Sequence, residues 1–396
     1  MSPFDLLFTS IAILSFLGSF SLLAYLIASE RAAPRFEDSL RGLGRDSNPN
    51  TMVSIIIPAR NEERDISKCL ESLVTQSYQY LEIVVVDDSS EDKTLEVARK
   101  FSERSKQVKT ISAGSKPKGW IGKSWPCWKG YEESKGDYLL FVDADSTLDT
   151  TLVESSLRYV QEKKIDVFSL SPKVRLHGTI ARAVLPVISA AINILYPMKK
   201  VNDKKSNRAY VFGTFVMVSR KVYASFGGHE GVKEEIVEDA AIARVARASG
   251  FNLRIERGSE YISTSWESEP KSVYEGLERI ISSSARAYGL ISIFNAVFVF
   301  FVVLYPVFFL VFFLLVFPSD VTLIVGFIAS VASAALIFTL TTLETRIITG
   351  KIGTSALLYI LGCTLFISAI VTTSVKVSRG STISWKGQKY RQTLHK

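Results

Sequence analysis

Two aspartates separated by one small residue, Asp143 and Asp145, close an apolar run from Tyr138 to Val142. Carboxylates placed this way can face one hard cation whose other ligands are phosphate oxygens and water, which is how Mg2+ is usually held and Mn2+ can replace it. Such a metal would neutralise charge on a departing nucleoside diphosphate. An Asp-x-Asp pair is common by chance, so its position carries the argument. In open parallel sheets ligands bind outside the carboxyl ends of strands, and two other strand-like runs end in polar clusters. Val53 to Ile57 leads into Pro58 to Asn61, and Leu81 to Val86 leads into Asp87, Asp88, Ser89 and Ser90. One Asp-Ser cluster reads as a surface turn; clusters at three corresponding positions read as one rim.

A second acidic pair, Glu238 and Asp239, opens the segment from Val237 to Gly250, which reads as a helix with Ile242 and Val245 on its apolar face. Acids in a first turn suit the helix dipole whatever else they do. The functional reading is a carboxylate at the bottom of a pocket that takes the proton of an acceptor hydroxyl, typically worth ~10² to 10⁴ in rate. Lys116, Lys118 and Lys123 surround Gly119, Trp120 and Gly122, giving cations and pliable backbone in one loop. The loop suits a diphosphate and would equally be an ordinary solvated one, but exposed Trp is uncommon, so Trp120 and Trp125 call for partners. Cys69, Cys127 and Cys363 lie far apart with no CxxC pair, so no disulfide framework or zinc site is expected. His177, His229 and His395 lack an HExxH-type spacing, which argues against zinc hydrolysis.

The elements that must position these groups alternate. Val53 to Ile57 is apolar and β-branched, as in a strand buried on both faces. Ile66, Leu70, Leu73 and Val74 then recur at helical spacing, with Asn61 as the expected N-cap. A second strand, a helix from about Lys93 and a third strand at Tyr138 follow. Repeated units of this kind imply a right-handed, mainly parallel αβα sandwich.

At 396 residues the chain has room for one full-size domain plus membrane segments. A mean hydropathy of +0.20 beside 22% charged residues implies that the two kinds are segregated. Asp5 to Ala28 is apolar and long enough to cross a ~30 Å hydrocarbon core. Met1 to Asp5 contains no Lys or Arg, so it reads as a retained anchor rather than a cleaved signal. Leu290 to Phe317, Val321 to Leu343 and Thr354 to Val375 are each long enough to span as well. The expected organisation is an anchor at 1–30, a catalytic domain at 50–285, transmembrane helices at 290–375 and a basic tail at 376–396. Arg182 to Met198 is apolar but carries Pro186 and Pro197. If it spanned, Asp143 and Asp239 would lie on opposite sides, so the stretch at about 180–200 reads as an interfacial segment close to a lipid acceptor.

Arg31, Arg35, Arg41 and Arg45 follow the anchor, which places the large domain in the cytoplasm by the positive-inside rule. Four spans would then export the tail. Yet the tail holds Lys376, Arg379, Lys386, Lys389, Arg391 and Lys396, which favour the inside. Either one C-terminal segment is re-entrant or a hairpin, or the tail is exported. The net charge of +8 suits anionic headgroups or a polyphosphate. There is no recognisable nucleic-acid module, and basic residues cluster beside the apolar segments, so nucleic acid is not an expected partner.

The ordered motifs VSIIIPARNE, IVVVDDSSEDKT, KGWIGKSW, DYLLFVDADS, YPMKKVND, FGTFVMVSRKVYASFGGHE and IVEDAAIARVARASG closely resemble family 2 glycosyltransferases of the GT-A fold, a Rossmann-like αβα sandwich. Within that family the chain looks most like the branch associated with hopanoid and carotenoid (diaponeurosporenoate) glycosylation, and TISWKGQKY resembles the end of that branch. The likeness covers about Val53 to Gly250. It implies one N-terminal and about three C-terminal transmembrane helices, with Pro58, Ala59, Arg60, Glu62, Asp87 and Asp88 holding the nucleoside. It further implies a metal (Mg2+ or Mn2+) on Asp143 and Asp145, with Lys123 at the donor diphosphate. Asp239, preceded by Glu238, would be the base of an inverting displacement, and Gly213, Gly227, Gly228 and His229 would shape the acceptor side.

The implied activity is transfer of one sugar from a nucleotide sugar to a lipid acceptor of isoprenoid type by a multi-pass cell-membrane enzyme. Processive relatives carry a Q/RxxRW motif, which the region Glu278 to Tyr288 lacks; this speaks against polymer synthesis. A polyprenyl-phosphate glycosyltransferase is the alternative, with Arg175, Lys199 and Lys200 available to meet a lipid phosphate. A catalytically silent membrane scaffold is the alternative of another class.

Overall fold

The computed structural model describes residues 3–44, 51–266, 269–288, 297, 299–316, 321–385 and 388–391. They form two compact units, one of Ala32–Arg175 with Tyr196–Ser265, the other of Met1–Arg31, Leu176–Leu195 and Trp266–Lys396.

In chain order the strands are β1 (Val53–Ala59), β2 (Leu81–Asp87), β3 (Val108–Ser112), β4 (Tyr138–Val142), β5 (Ser146–Leu148) and β6 (Val167–Ser171). They continue with β7 (Lys173–Arg175), β8 (Phe215–Ser219), β9 (Leu253–Arg257), β10 (Ile262–Ser265), β11 (Thr382–Trp385) and β12 (Gln388–Arg391). The first unit is built on a seven-stranded sheet ordered β3-β2-β1-β4-β8-β6-β9. Strands β3, β2, β1 and β4 are parallel, and β2, β1 and β4 are apolar, as strands buried on both faces should be. Alternate side chains enter opposite layers: Ile55 and Ile57 join one core with Ile83, Val85 and Leu140, while Ile56 joins another with Leu139 and Phe141. Helices Ile66–Val74, Thr94–Arg104, Ser124–Glu132 and Leu152–Lys163 follow the early strands. The sheet is mixed, because β8 runs antiparallel to both β4 and β6. A small sheet, β5-β10-β7, accompanies it.

Asn61 does not cap the first of these helices, which begins at Ile66 with Asp65 in the cap position. It adopts a left-handed φ of 54°, and its side-chain oxygen accepts the Glu91 N–H at 2.9 Å. An Asn can do this at small cost. It therefore ties the turn after β1 to the turn after β2 instead of starting a helix.

The second unit holds the long apolar helices. By length and composition, Pro3–Ala32, Thr179–Val201, Val321–Thr349 and Thr354–Ser378 could each cross a membrane. This set differs from the expected one in two places. The 180–200 stretch is long enough to be among them, its helix Thr179–Leu195 running on through Pro186. Of the expected span Leu290 to Phe317, the ends lie outside the described residues, and Phe300–Leu315 forms a shorter apolar helix. Polar side chains join these helices where they would otherwise meet hydrocarbon. Ser19 Oγ lies 2.7 Å from Ser333 Oγ and donates to the Val302 carbonyl, and Tyr305 donates to the Phe8 carbonyl at 2.9 Å.

Candidate active site

Strands β2, β1 and β4 are parallel neighbours, so their carboxyl ends lie side by side. The register brings Pro58, Ala59, Arg60 and Glu62 next to Asp87 and Asp88 on one flank and to Asp143 and Asp145 on the other. Antiparallel β8 begins where β4 ends, with Phe215 opposite Val142. Gly213 therefore arrives beside Asp143. Pro58, Lys123, Asp143, Gly213, Glu238 and Asp239 all line one pocket.

Lys123, at the start of the Ser124–Glu132 helix, is the hub of this pocket. Its Nζ lies 2.7 Å from Asp143 Oδ1 and 3.1 Å from Glu238 Oε1. Burial opposes the ammonium charge, but Asp143, Glu238 and Asp239 outweigh it and hold the Lys123 pKa well above its ordinary value. Three carboxylates thus face one ammonium, and Asp145 adds a fourth acid to the same rim. The excess negative charge suits a divalent cation. Asp143 and Asp145 offer only hard oxygen ligands, and no group of three or more His, Cys, Asp or Glu able to hold a metal occurs among the described residues. An ion at this pair would therefore take its remaining ligands from phosphate and water, which fits Mg2+ or Mn2+.

Asp145 is held from behind. Its Oδ1 accepts the Thr264 hydroxyl at 2.8 Å, and its carbonyl accepts an Arg175 Nη2–H at 3.1 Å. The Arg175 guanidinium also bonds Thr147, Ser263 and Ser265. It is thus a strut inside the small sheet. Lys199 and Lys200 remain exposed.

On the other flank Arg60 donates to the Asp88 carbonyl at 2.8 Å, and the Asp88 carboxylate pairs with Lys116 at 3.1 Å. Asp88 N–H donates to the Ala59 carbonyl, and Glu62 N–H donates to Thr94 Oγ1. Asp87 is 4% exposed; one carboxylate oxygen accepts the Ser90 N–H, while Oδ1 is buried without a hydrogen-bond partner. Such a buried acceptor is costly unless a ligand completes it. The tryptophans have partners, Trp120 packing on Trp125 and Trp128 at ring separations of 5.1 and 6.1 Å.

Residues 54–227 match the family model Glycosyl transferase family 2. This segment is a family 2 glycosyltransferase domain. A 4,4'-diaponeurosporenoate glycosyltransferase of Staphylococcus haemolyticus (strain JCSC1435) is 25% identical over 250 residues, 61% of this chain and 64% of that protein. The protein of the same name from Staphylococcus aureus (strain USA300) is 27% identical over 241 residues, 59% of this chain and 61% of its own length. The chain thus matches under two thirds of the length of each. Mannosyltransferase PcManGT from Pyrobaculum calidifontis, solved in complex with GDP-Man and Mn2+, shares the GT-A fold. It aligns over 93% of this chain and 98% of its own with a TM-score of 0.51 at 13% identity.

The glycosyltransferase domain keeps Gly213 small for a reason visible at Asp239. Asp239 Oδ1 accepts the Ala240 N–H at 2.6 Å, and a Cβ on residue 213 would lie 2.7 Å from Oδ2 and 3.1 Å from Lys123 Nζ. Both contacts are with ends of side chains, which can yield. Gly213→Ala is therefore expected to fold, with an unchanged melting temperature, and to lower turnover at least tenfold by displacing Asp239.

His229 and Tyr223 line the same pocket, and Gly228 packs against the Tyr223 ring. Gly228 has φ +50°, and a Cβ there would lie 2.4 Å from the Tyr223 ring. The His229 backbone N–H donates to Tyr223 Oη at 3.0 Å, and Nδ1 lies 2.8 Å from the same oxygen. Tyr223 Oη thus holds both the backbone and the ring of His229, the direction of the bond to Nδ1 following the imidazole tautomer. Burial, with Lys123 as the lesser cause, pushes the His229 pKa down to about 3. Unfolding frees it to protonate near its ordinary value, so its stabilising contribution is full above about pH 6.5 and falls as pH drops towards 3, by up to about 1.4 kcal/mol per unit. Thermal melts between pH 7 and 5 should show this slope, and His229→Asn should show less of it. Tyr223, Thr264 and the inward role of Arg175 are not readable as site features in the sequence, because each acts through a neighbour that only the fold brings close.

Proposed function

We propose that this protein is a membrane-bound inverting glycosyltransferase that moves one sugar from a nucleotide-sugar donor to a lipid acceptor of isoprenoid type. The observation that carries this reading is the gathering of Asp143, Glu238 and Asp239 around Lys123 in a pocket at the strand ends. Asp87 Oδ1 offers a nucleobase N–H the acceptor it needs, and Arg60 and Asp88 form the adjoining wall. Asp143 and Asp145 would hold Mg2+ or Mn2+, which supplies charge neutralisation of the leaving diphosphate. Lys123 stands between Asp143 and Glu238, where its ammonium can meet a phosphate. Asp239 takes the proton of the acceptor hydroxyl as that oxygen attacks the anomeric carbon opposite the diphosphate. Glu238 is buried and paired, so its part is to hold Lys123.

The names of the two Staphylococcus relatives support the lipid acceptor, and the GDP-Man and Mn2+ of the Pyrobaculum structure support the donor and metal classes. The missing Q/RxxRW motif supports single transfer. A polyprenyl-phosphate acceptor is less well served, since Arg175 is occupied by the small sheet. A silent scaffold would have no physical need for four acids on one rim. We further infer a multi-pass cell-membrane protein whose glycosyltransferase domain is cytoplasmic, supported by Arg31, Arg35 and Arg41 after the first helix. Titration of the purified protein with UDP- and GDP-sugars tests the donor reading. One nucleotide class should bind, more tightly with Mn2+ than with EDTA, and absence of binding by either would refute it.

A further inference from the structure

The tail's positive charge and the number of apolar helices conflict only if the Tyr359–Ser378 helix spans. Its neighbours argue otherwise. Tyr274 Oη lies 3.2 Å from Ser368 Oγ and 3.1 Å from Thr372 Oγ1, and Lys376 Nζ donates to both Glu278 carboxylate oxygens at 2.6 and 2.8 Å. The pairs advance together, so the Pro270–Tyr288 helix runs parallel to the last turns of the C-terminal one. That partner carries Lys271, Glu275, Glu278, Arg279 and Arg286, too many charges for hydrocarbon. Ser368 to Lys376 therefore lies at headgroup depth. From Thr354 to Ile367 only about 14 residues remain, roughly 21 Å of helix, short of the ~30 Å core. Leu357, Ile360, Leu361, Val371 and Val375 are exposed along the apolar side, as in a helix lying in the membrane interface.

Pro3–Ala32 and Val321–Thr349 are long enough to run the full distance. Thr9 bonds the Thr322 carbonyl at one end, and Leu26 packs with Leu340 at the other, so Pro3–Ala32 and Val321–Thr349 are parallel. The apolar segment ending at Val316 runs between them in the opposite sense, Val302 meeting Ser19 and Tyr305 meeting Phe8. Arg31 marks one end of the first helix, and Arg346 and Lys351 mark the same end of the third. In the sequence, the stretch leading into the first helix (Met1 to Asp5) and the one before the third (Pro318 to Asp320) contain no Lys or Arg. Thr179–Leu195 joins the basic end: Ser189 donates to the buried Glu344 at 2.7 Å, and Ala190 packs with Leu26 and Leu340.

We propose that the chain crosses the bilayer three times, through Pro3–Ala32, the segment ending at Val316 and Val321–Thr349. Thr179–Leu195 and Tyr359–Ser378 lie in the cytoplasmic leaflet, and the β11–β12 hairpin is cytoplasmic, on the side where anionic headgroups attract a basic segment. Three crossings put every basic flank on one side.

Single substitutions in the full chain test this. Val321 is 73% exposed and Ser381 is exposed, whereas the native thiols of Cys69, Cys127 and Cys363 are buried. With a membrane-impermeant maleimide, Val321→Cys should label in intact cells and Ser381→Cys only after permeabilisation. Labelling of Ser381→Cys in intact cells would overturn the proposal, as would labelling of Val321→Cys only after permeabilisation. A reporter fused after Lys396 gives an independent reading: green fluorescent protein should fluoresce and alkaline phosphatase should stay inactive, the reverse pair contradicting it. Neither readout depends on the sugar-transfer reaction.

Discussion

Asp239→Asn is expected to lower sugar transfer by about 10² to 10⁴ while leaving nucleotide-sugar affinity nearly unchanged. The substitution is isosteric, and its side-chain oxygen can still accept the Ala240 N–H that Asp239 accepts at 2.6 Å. What it removes is a carboxylate able to take the acceptor's proton. It also removes one of three negative charges around Lys123, but Asp143 and Glu238, the closer partners at 2.7 and 3.1 Å, remain. The pocket should therefore keep its shape, and the loss should fall on turnover. Single-turnover kinetics beside donor titration separates the two quantities. Transfer at the wild-type rate would remove Asp239 from the role of base.

Asp143→Ala should act on the other half of the reaction. Asp143 is both the nearest partner of Lys123 and a member of the Asp-x-Asp pair on the rim. Without it, donor affinity measured with Mn2+ should fall at least tenfold, about 1.4 kcal/mol. Adding EDTA should then change little, because the metal-dependent part is already gone. Lys123 keeps Glu238, so the fold should survive. A variant whose donor binding still tightens with Mn2+ as in the wild type would show that the metal does not sit on Asp143.

The strands that carry the rim are legible in the sequence because burial on both faces leaves a plain mark. Val53 to Ile57, Leu81 to Val86 and Tyr138 to Val142 are apolar throughout, and each hands over abruptly to polar residues. A right-handed, mainly parallel arrangement follows from their alternation with helices, whereas the order β3-β2-β1-β4 is visible only in the fold. β8 is not legible as an antiparallel insertion. Phe215 to Val218 is as apolar as the parallel strands, and direction leaves no trace in composition. With it goes the reason for Gly213, which stands just before β8 and lies against Asp239. His229 is given to the acceptor side by the likeness to family 2 glycosyltransferases. The structure buries it under Tyr223, a pairing six residues apart that periodicity does not signal. Arg175 reads as a free cation because its partners lie in β5 and β10, brought together only by the small sheet. In the apolar helices, length and composition mark Thr354 to Val375 as a possible span; the charged helix beside it, which the sequence does not place there, is the ground for the proposed interfacial position.

The most direct test of the central claim is transfer itself: detergent-purified protein, labelled UDP- and GDP-sugars, Mn2+ or Mg2+ and extracted membrane lipids, with label followed into the organic phase. The account predicts metal-dependent incorporation into lipid by the wild type, stable to mild acid as expected for a hydroxyl or carboxyl acceptor. Binding of the nucleotide sugar with no label entering lipid under any donor or metal would contradict it.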